Sequence, residues 1–336
     1  MEWSVAIGVD THKDTHAAVA CDRLGRQLDS LQIPACLVGY RQLLAWAEAL
    51  GQPAFSVEGS GSYGVGLARF LVEAGISVVE CERPHRRDRR RGKSDLIDAA
   101  LAARKLVLGD GLSELRGDGV REDLRLLLLE RRSAATARTA ALNQLHAVLV
   151  TAPERLRRRL DRLGSGALGH ACARLRPSAE SRHAAVLARL GRRVLALDRE
   201  LESIDGEINE RVQTLVPELL DECGVGALSA AQLLVSSGDP TRMRNEAAFA
   251  ALAGTSPVDA SSGKQQRHRL NRGGDRQLNR ALHVITLARV RHHPPTAAYY
   301  QRLLDTGKTP REARRCVKRT LARHFYRKLR EAQISP

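Results

Sequence analysis

Ser4-Val-Ala-Ile-Gly-Val-Asp10-Thr-His-Lys-Asp-Thr-His-Ala-Ala-Val-Ala-Cys21 decides how this chain begins to fold. Two short apolar runs flank a polar stretch of Thr, His, Lys and Asp, the pattern of two strands joined by a tight turn. A third run follows a turn containing Gly25, so strands at 3–9, 15–22 and 27–33 are predicted to form an antiparallel meander. Further strands are predicted at 53–57 and 76–80, and amphipathic helices at 38–50, 62–74 and 95–107. Strands that alternate with helices in this way make residues 1–110 an α/β domain.

Four carboxylates stand at the ends of these segments. Asp10 closes the first strand and Glu58 closes Ala54-Phe-Ser-Val-Glu58, while Asp95 and Asp98 are spaced i, i+3 in Lys93-Ser-Asp-Leu-Ile-Asp98 and share one helix face. Acids at close range raise one another's pKa unless a positive charge sits among them. A divalent ion is the usual answer, and Mg²⁺ or Mn²⁺ prefers oxygen ligands and bridges to substrate phosphates. Taken singly, each acid reads equally well as a turn residue or a helix cap.

Around these acids the chain is strongly basic, with a formal net charge of +16 over 336 residues and a pI near 10.3. Nucleic acid is the commonest partner of such a protein. Aromatic residues make up 3 % of the chain, which argues against a grip on single strands by base stacking and for contacts to phosphate. No apolar run approaches the length of a bilayer span, and Met1-Glu-Trp-Ser lacks the basic start of a signal peptide, so no membrane role is expected. The cysteines (Cys21, Cys36, Cys81, Cys172, Cys223 and Cys316) show no C-x-x-C spacing. That excludes an evident zinc site or disulfide framework and fits a reducing cytoplasm.

Between the last strand and the helix at 95 runs Glu82-Arg-Pro-His-Arg-Arg-Asp-Arg-Arg-Arg-Gly-Lys93. So dense a basic segment needs phosphates or acids to neutralise it. Arg86, Arg87, Arg89, Arg90, Arg91 and Lys93 are therefore candidate nucleic-acid contacts beside the acids.

Residues 111–216 carry two long helical stripes. Leu187, Leu190, Val194, Leu197, Leu201, Ile204, Ile208 and Leu215 recur at steps of three and four, and Leu124, Leu128, Ala135, Leu142, Leu145 and Leu149 follow similar spacing, interrupted by Arg131 and Arg138. An antiparallel coiled-coil hairpin turning between Pro153 and Pro177 is expected, closing within one chain or between two.

Residues 217–336 read as a mostly helical third domain. Gly224-Val-Gly226 between two apolar segments resembles a helix-hairpin-helix, whose turn amides hold a backbone phosphate; a plain helical stop fits the local sequence as well. A helix at 247–252, a Gly/Ser/Arg-rich loop at 254–274 and a basic helical region at 276–333 follow. In the loop, Ser261 and Ser262 precede Lys264, Arg267, His268, Arg269 and Arg272, a positive setting that favours a serine alkoxide. Ser-Ser-Gly is also ordinary linker chemistry.

Other patterns are set aside. Gly59-Ser-Gly-Ser-Tyr-Gly64 matches a dinucleotide-binding fingerprint, but Glu58 would face the pyrophosphate and the preceding meander does not fit a βαβ start. His12 and His16 are read as solvated turn residues, and Tyr299-Tyr300 as helix packing.

Taken together and in order, Gly8-Val-Asp10-Thr-His-Lys13, Val57-Glu58-Gly-Ser-Gly-Ser-Tyr63-Gly64, Lys93-Ser-Asp95-Leu-Ile-Asp98-Ala99, Gly224-Val-Gly226, and Ala253-Gly254-Thr-Ser-Pro257 with Ser262-Gly263 resemble the DEDD transposases of the "IS one-ten" insertion-sequence family. These are relatives of the Piv DNA invertase, also called bridge-RNA recombinases. The resemblance spans nearly the whole chain and implies a RuvC-like, RNase H-type domain at 1–110 whose acids are Asp10, Glu58, Asp95 and Asp98. It also implies a coiled-coil region at 111–216 and a transposase domain at 217–336 whose serine falls on Ser262, with Ser261 one register away. It implies Mg²⁺ at the acids, a covalent phosphoserine link to DNA, a non-coding bridge RNA that pairs with donor and target, and a homo-oligomer, dimer or tetramer. Two other readings stand beside it: a RuvC-like Holliday-junction endonuclease using metal-activated water, and a nucleic-acid-binding scaffold whose acids are structural.

Overall fold

A computed structural model of the chain describes residues 3–81, 94–113, 115, 119–176, 182–238, 240, 243–260 and 268–332. The chain divides into two compact units, Met1–Gly117 and Asp118–Pro336.

The N-terminal unit is built on β1 (Val5–Thr11), β2 (Thr15–Cys21), β3 (Gln27–Pro34), α1 (Leu37–Leu50), β4 (Pro53–Glu58), α2 (Val65–Glu73), β5 (Ser77–Cys81), α3 (Asp95–Leu108) and β6 (Leu112–Ser113). Its six-stranded sheet has the order β3-β2-β1-β4-β5-β6. The expected meander forms β1 to β3, and β4 and β5 run parallel to β1. The second helix begins at Val65 rather than 62 because Gly59–Gly64 is spent in a turn: Gly59 takes a φ of 72°, and the N–H groups of Ser62 and Gly64 both donate to its carbonyl. The two-residue β6 has no counterpart among the expected strands.

Strand pleat sorts the side chains onto two faces. Val5, Ile7 and Val9 of β1, Ala18 and Ala20 of β2, and Phe55 and Val57 of β4 turn to one face and form a core with Leu43 and Ala47 of α1 and Leu67 and Leu71 of α2. Val19 and Cys21 turn to the other face, where Ala99, Ala100 and Ala103 of α3 cover them. Gly8 lies on this second face by the same alternation. A Cβ there would stand 2.0 Å from the Ala99 carbonyl oxygen and 2.2 Å from the Ala103 nitrogen. Glycine on the strand and alanines on the helix thus let two backbones approach to a distance that no larger residue permits.

Among its described residues the second unit is helical apart from one short pair of strands. Its elements are α4 (Val120–Val150), α5 (Glu154–Leu160), α6 (Ser165–Ala173), α7 (Arg182–Leu215), α8 (Pro217–Leu220), α9 (Ala227–Ser237), α10 (Glu246–Leu252), β7 (Val258–Asp259), β8 (His268–Arg269), α11 (Arg276–His292), α12 (Pro294–Asp305) and α13 (Pro310–Glu331). The long helices α4 and α7 pack antiparallel within one chain. Leu142 meets Val194 at mid-length, and Leu145 and Leu149 share a core with Leu187. The two arginines that break the α4 stripe have partners across the seam. Arg131 Nε donates to Asp205 Oδ1 at 2.6 Å, and Arg138 pairs with Asp198. Between the long helices, where the sequence suggested only a turn, α5 and α6 cover the apolar end of the pair. At the opposite end, Leu124, Leu128, Ile204, Ile208 and Val212 join one core with Phe249 of α10, Leu282 of α11 and Phe325 of α13. Among the described residues, no helix is long and apolar enough to cross a membrane, and all six cysteines are free thiols.

Candidate metal centre

The same alternation that hides the core delivers the acids. Asp10 and Glu58 occupy even positions of β1 and β4, so both side chains turn to the α3 face. Parallel pairing aligns Val9 with Val57, which sets Asp10 beside Glu58 at the carboxyl ends of neighbouring strands. Thr11 Oγ1 donates to the Glu58 carbonyl oxygen at 2.7 Å and ties the two strand ends together. On the facing helix, Ser94 is the N-cap, its hydroxyl accepting from the Ile97 N–H, and Asp95 and Asp98 fall in the first turn. Negative charge is favoured there by the helix dipole.

Three of the four acids are withdrawn from solvent: Asp10 and Glu58 are 6 % exposed and Asp98 3 %. Asp95 stands at the mouth, its side chain 48 % exposed. Burial, and next the Glu58 carboxylate, push the Asp10 carboxyl up to about 6; His12 pulls the other way, and Asp95 and Asp98 add to the rise. The other three acids therefore all bear on the Asp10 carboxyl.

His12 is exposed in the turn after β1, as its reading had it, and it also reaches two of the acids. Its Nε2 lies 3.4 Å from Asp10 Oδ2 and 3.2 Å from Asp95 Oδ1, so the half-exposed imidazole bridges strand and helix. Asp10, His12 and Asp95 each offer a ligand atom within 4.8 Å of the others. The signal was the i, i+2 spacing of Asp10 and His12 at the end of an extended strand, which puts both on one face. His16 departs from its reading as a solvated turn residue. It is fully buried in β2 and stacked on Tyr40 with ring centroids 5.9 Å apart, and burial lowers its pKa.

The donor set fits a hard divalent cation. Several carboxylates held close together, one of them with its pKa driven upward by burial and like charge, gain from a cation among them. Oxygen donors suit Mg²⁺ and Mn²⁺.

Residues expected to contact nucleic acid divide into two groups. Arg86, Arg87, Arg89, Arg90, Arg91 and Lys93 lie outside the described residues, as do Ser261, Ser262, Lys264 and Arg267. The serines fall in the stretch that joins β7 to β8, which pair antiparallel, so part of the supposed loop at 254–274 is the stem of a β-hairpin. Arg269 and Arg272 are exposed at and beyond that stem. Gly226 is the exposed N-cap of α9. Gly224, with a φ of 80°, turns its Cα toward α11, where a Cβ would come within 2.9 Å of Ala288 Cβ and 3.2 Å of the Ile285 carbonyl oxygen. The helix before this turn, α8, has four residues.

Comparison with known proteins places this geometry. Residues 7–152 match the family model of a DEDD transposase, and residues 218–301 match that of the transposase IS116/IS110/IS902 family. The chain belongs to the IS110 family of transposases. It is 26 % identical to the uncharacterized 42 kDa protein of insertion element IS900 from Mycobacterium paratuberculosis, over 93 % of this chain and 92 % of that one. It is 34 % identical over 131 residues to the uncharacterized 43.6 kDa protein of insertion element IS110 from Streptomyces coelicolor, which is 38 % of this chain and 32 % of that one. As an IS110-family transposase it takes DNA as its substrate class, and the first family match contains all four acids.

Proposed function

We propose that this transposase cuts and rejoins the ends of its insertion element and a target DNA through a phosphoserine at Ser262, with a divalent metal held by Asp10, Glu58, Asp95 and Asp98 of a RuvC-like domain. The observation that carries the reading is the convergence of Asp10 and Glu58 on adjacent parallel strand ends with Asp95 and Asp98 on the facing helix. Such acids need a cation, and phosphoryl transfer is the chemistry that a hard cation serves in a transposase.

In this scheme the Ser262 hydroxyl attacks a DNA phosphorus. The Oγ–P bond forms as one P–O bond to deoxyribose breaks, the serine proton passes to a base or solvent, and the departing sugar oxygen takes up a proton. The phosphoserine diester keeps the energy of the broken linkage, so a second DNA hydroxyl can displace the serine without a nucleoside triphosphate. Bound Mg²⁺ or Mn²⁺ would neutralise charge gathering on the reacting phosphate. Asp10, Glu58 and Asp98 hold their positions by burial, while exposed Asp95 and His12 border the opening. A bridge RNA would supply target choice by base pairing, in keeping with the chain's low aromatic content and basic character. Two or more copies acting together would bring the DNA ends to one place.

The test is covalent trapping. Purified protein, the element's RNA and labelled donor and target DNA are combined with Mg²⁺ or EDTA and resolved on a denaturing gel. A Mg²⁺-dependent protein–DNA adduct that disappears in Ser262→Ala, with Ser261→Ala retaining it, is the expected result. Cleaved DNA free of adduct would mean water is the nucleophile, and the chain would be a junction-type endonuclease instead.

A further inference from the structure

A second, basic site lies in the C-terminal unit beside the paired strands β7 and β8. Residues Gly254–Pro257, the strand end at Arg269 and one face of α13 enclose a cleft of about 610 Å³. Arg269, Lys308, Arg315, Lys318 and Arg319 line it, against one acid, Glu312. That acid is engaged: its Oε2 accepts from the N–H and hydroxyl of Thr309 in the capping box that starts α13.

Lys318 makes the cleft more than a basic surface. The residue is 9 % exposed, and its Nζ donates to Asn279 Oδ1 at 2.8 Å. Asn279 has no freedom to offer anything else, because its Nδ2 donates to the Ala253 carbonyl at 2.7 Å and the Gly254 carbonyl at 3.3 Å. The turn that supplies those carbonyls is itself held fast. A Cβ on Gly274 would come within 2.4 Å of the Leu252 carbonyl oxygen and 2.7 Å of the Gly254 nitrogen, so the two segments cross without room for side chains. Among the described residues, no carboxylate lies within ion-pair distance of the Lys318 ammonium. A buried cation with one neutral acceptor is costly unless an anion completes it. Burial, with Arg315 nearby, lowers the Lys318 pKa, as an uncompensated ammonium requires. Arg319 adds a directed donor at the rim, its guanidinium 3.2 Å from Ser256 Oγ.

We infer that this cleft seats a backbone phosphate of the DNA being joined, with Lys318 beneath the phosphate oxygens and Arg319 and Arg269 at its sides. These are positioning residues that fix the DNA strand at the hairpin stem, on a framework of Asn279 and the crossed glycines. The inference rests on the reading of the chain as a DNA-joining enzyme, and it adds a binding site that the acids and the serine do not supply.

Cys316 lines the same cleft and gives a direct test, with exposed Cys36 as an internal reference. The full chain is treated with duplex DNA carrying a bromoacetyl group on one internucleotide phosphorothioate, and separately with free bromoacetamide, and the alkylated thiols are mapped by peptide mass. The DNA reagent is expected to favour Cys316 over Cys36 relative to the free reagent, and unmodified duplex should compete the label away. Arg319→Ala or Arg269→Ala should each cut Cys316 labelling by DNA about tenfold, the worth of one charge-assisted contact. Labelling by free bromoacetamide should stay unchanged, which separates lost binding from lost folding. Cys36 predominating with both reagents, or Cys316 labelling indifferent to both arginine variants, overturns the site. Labelling by a matched RNA and not by DNA overturns the choice of ligand. Because alkylation needs binding alone, Ser262→Ala must still be labelled at Cys316; that result would stand even if no phosphoserine adduct were ever trapped.

Discussion

Replacing Asp10 with asparagine should make the metal-free N-terminal unit more stable. A carboxyl whose pKa is 3.8 in the unfolded chain and about 6 in the fold binds its proton more tightly when folded. Between these two values the folded state holds more protons than the unfolded one, so stability falls as pH rises across that window. Above pH 6 the loss is complete, and a shift of that size costs the fold about 3 kcal/mol. Well below pH 3.8 the carboxyl is neutral in both states and the cost vanishes. The amide of the Asp10→Asn variant is neutral throughout and nearly the same shape, so the substitution should recover most of the cost at pH 7.5 and little at pH 4. The only two tryptophans, Trp3 and Trp46, lie in this unit, so its unfolding can be followed by their fluorescence. In EDTA at pH 7.5 the variant's midpoint should rise by about 10 °C. With Mg²⁺ the gap should narrow, because the cation relieves the wild-type acids and has lost a ligand in the variant. A variant no more stable than wild type in EDTA at pH 7.5 would refute the reasoning, since Asp10 would then be neutralised by a partner already in the fold.

Other consequences follow from the packing. Gly8→Ala drives a methyl into the backbone of α3 at Ala99 and Ala103 and should destabilise the N-terminal unit by about 3 kcal/mol, seen in the same fluorescence transition; a change within error of zero would mean the helix is not seated there. Across the helical pair, Arg138 and Asp198 are each about 30 % exposed, and a double-mutant cycle with alanine should give a coupling of about 1 kcal/mol in urea denaturation. Additive single effects would show that the crossing rests on its leucines alone. Ser262→Ala should leave both transitions unmoved while removing the trapped DNA adduct.

Much of the N-terminal unit was legible because its signals are local. Period-two runs gave the five longer strands, and the strand-end positions of Asp10 and Glu58 with the i, i+3 spacing of Asp95 and Asp98 gave the four acids. What escaped depends on contacts between distant segments. Along the chain His12 invites pairing with His16, four residues away, but its structural neighbours are Asp10 near the end of the preceding strand and Asp95 on a later helix. The arginines of α4 look like defects in an apolar stripe until Asp198 and Asp205 stand opposite them on α7. The short helices α5 and α6, the hairpin stem of β7 and β8, and the anion cleft likewise hold together through residues far apart in the chain, where periodicity carries no signal.

The glycine seat under α3 is also what sets the distance between the two pairs of acids. Registration of Asp95 and Asp98 against the strands is fixed by contact between Gly8 and the alanines of the helix. A lineage carrying this fold cannot enlarge residue 8 without moving the acids of the helix away from those of the strands, so the smallest side chain in the sheet governs the spacing of the largest charges.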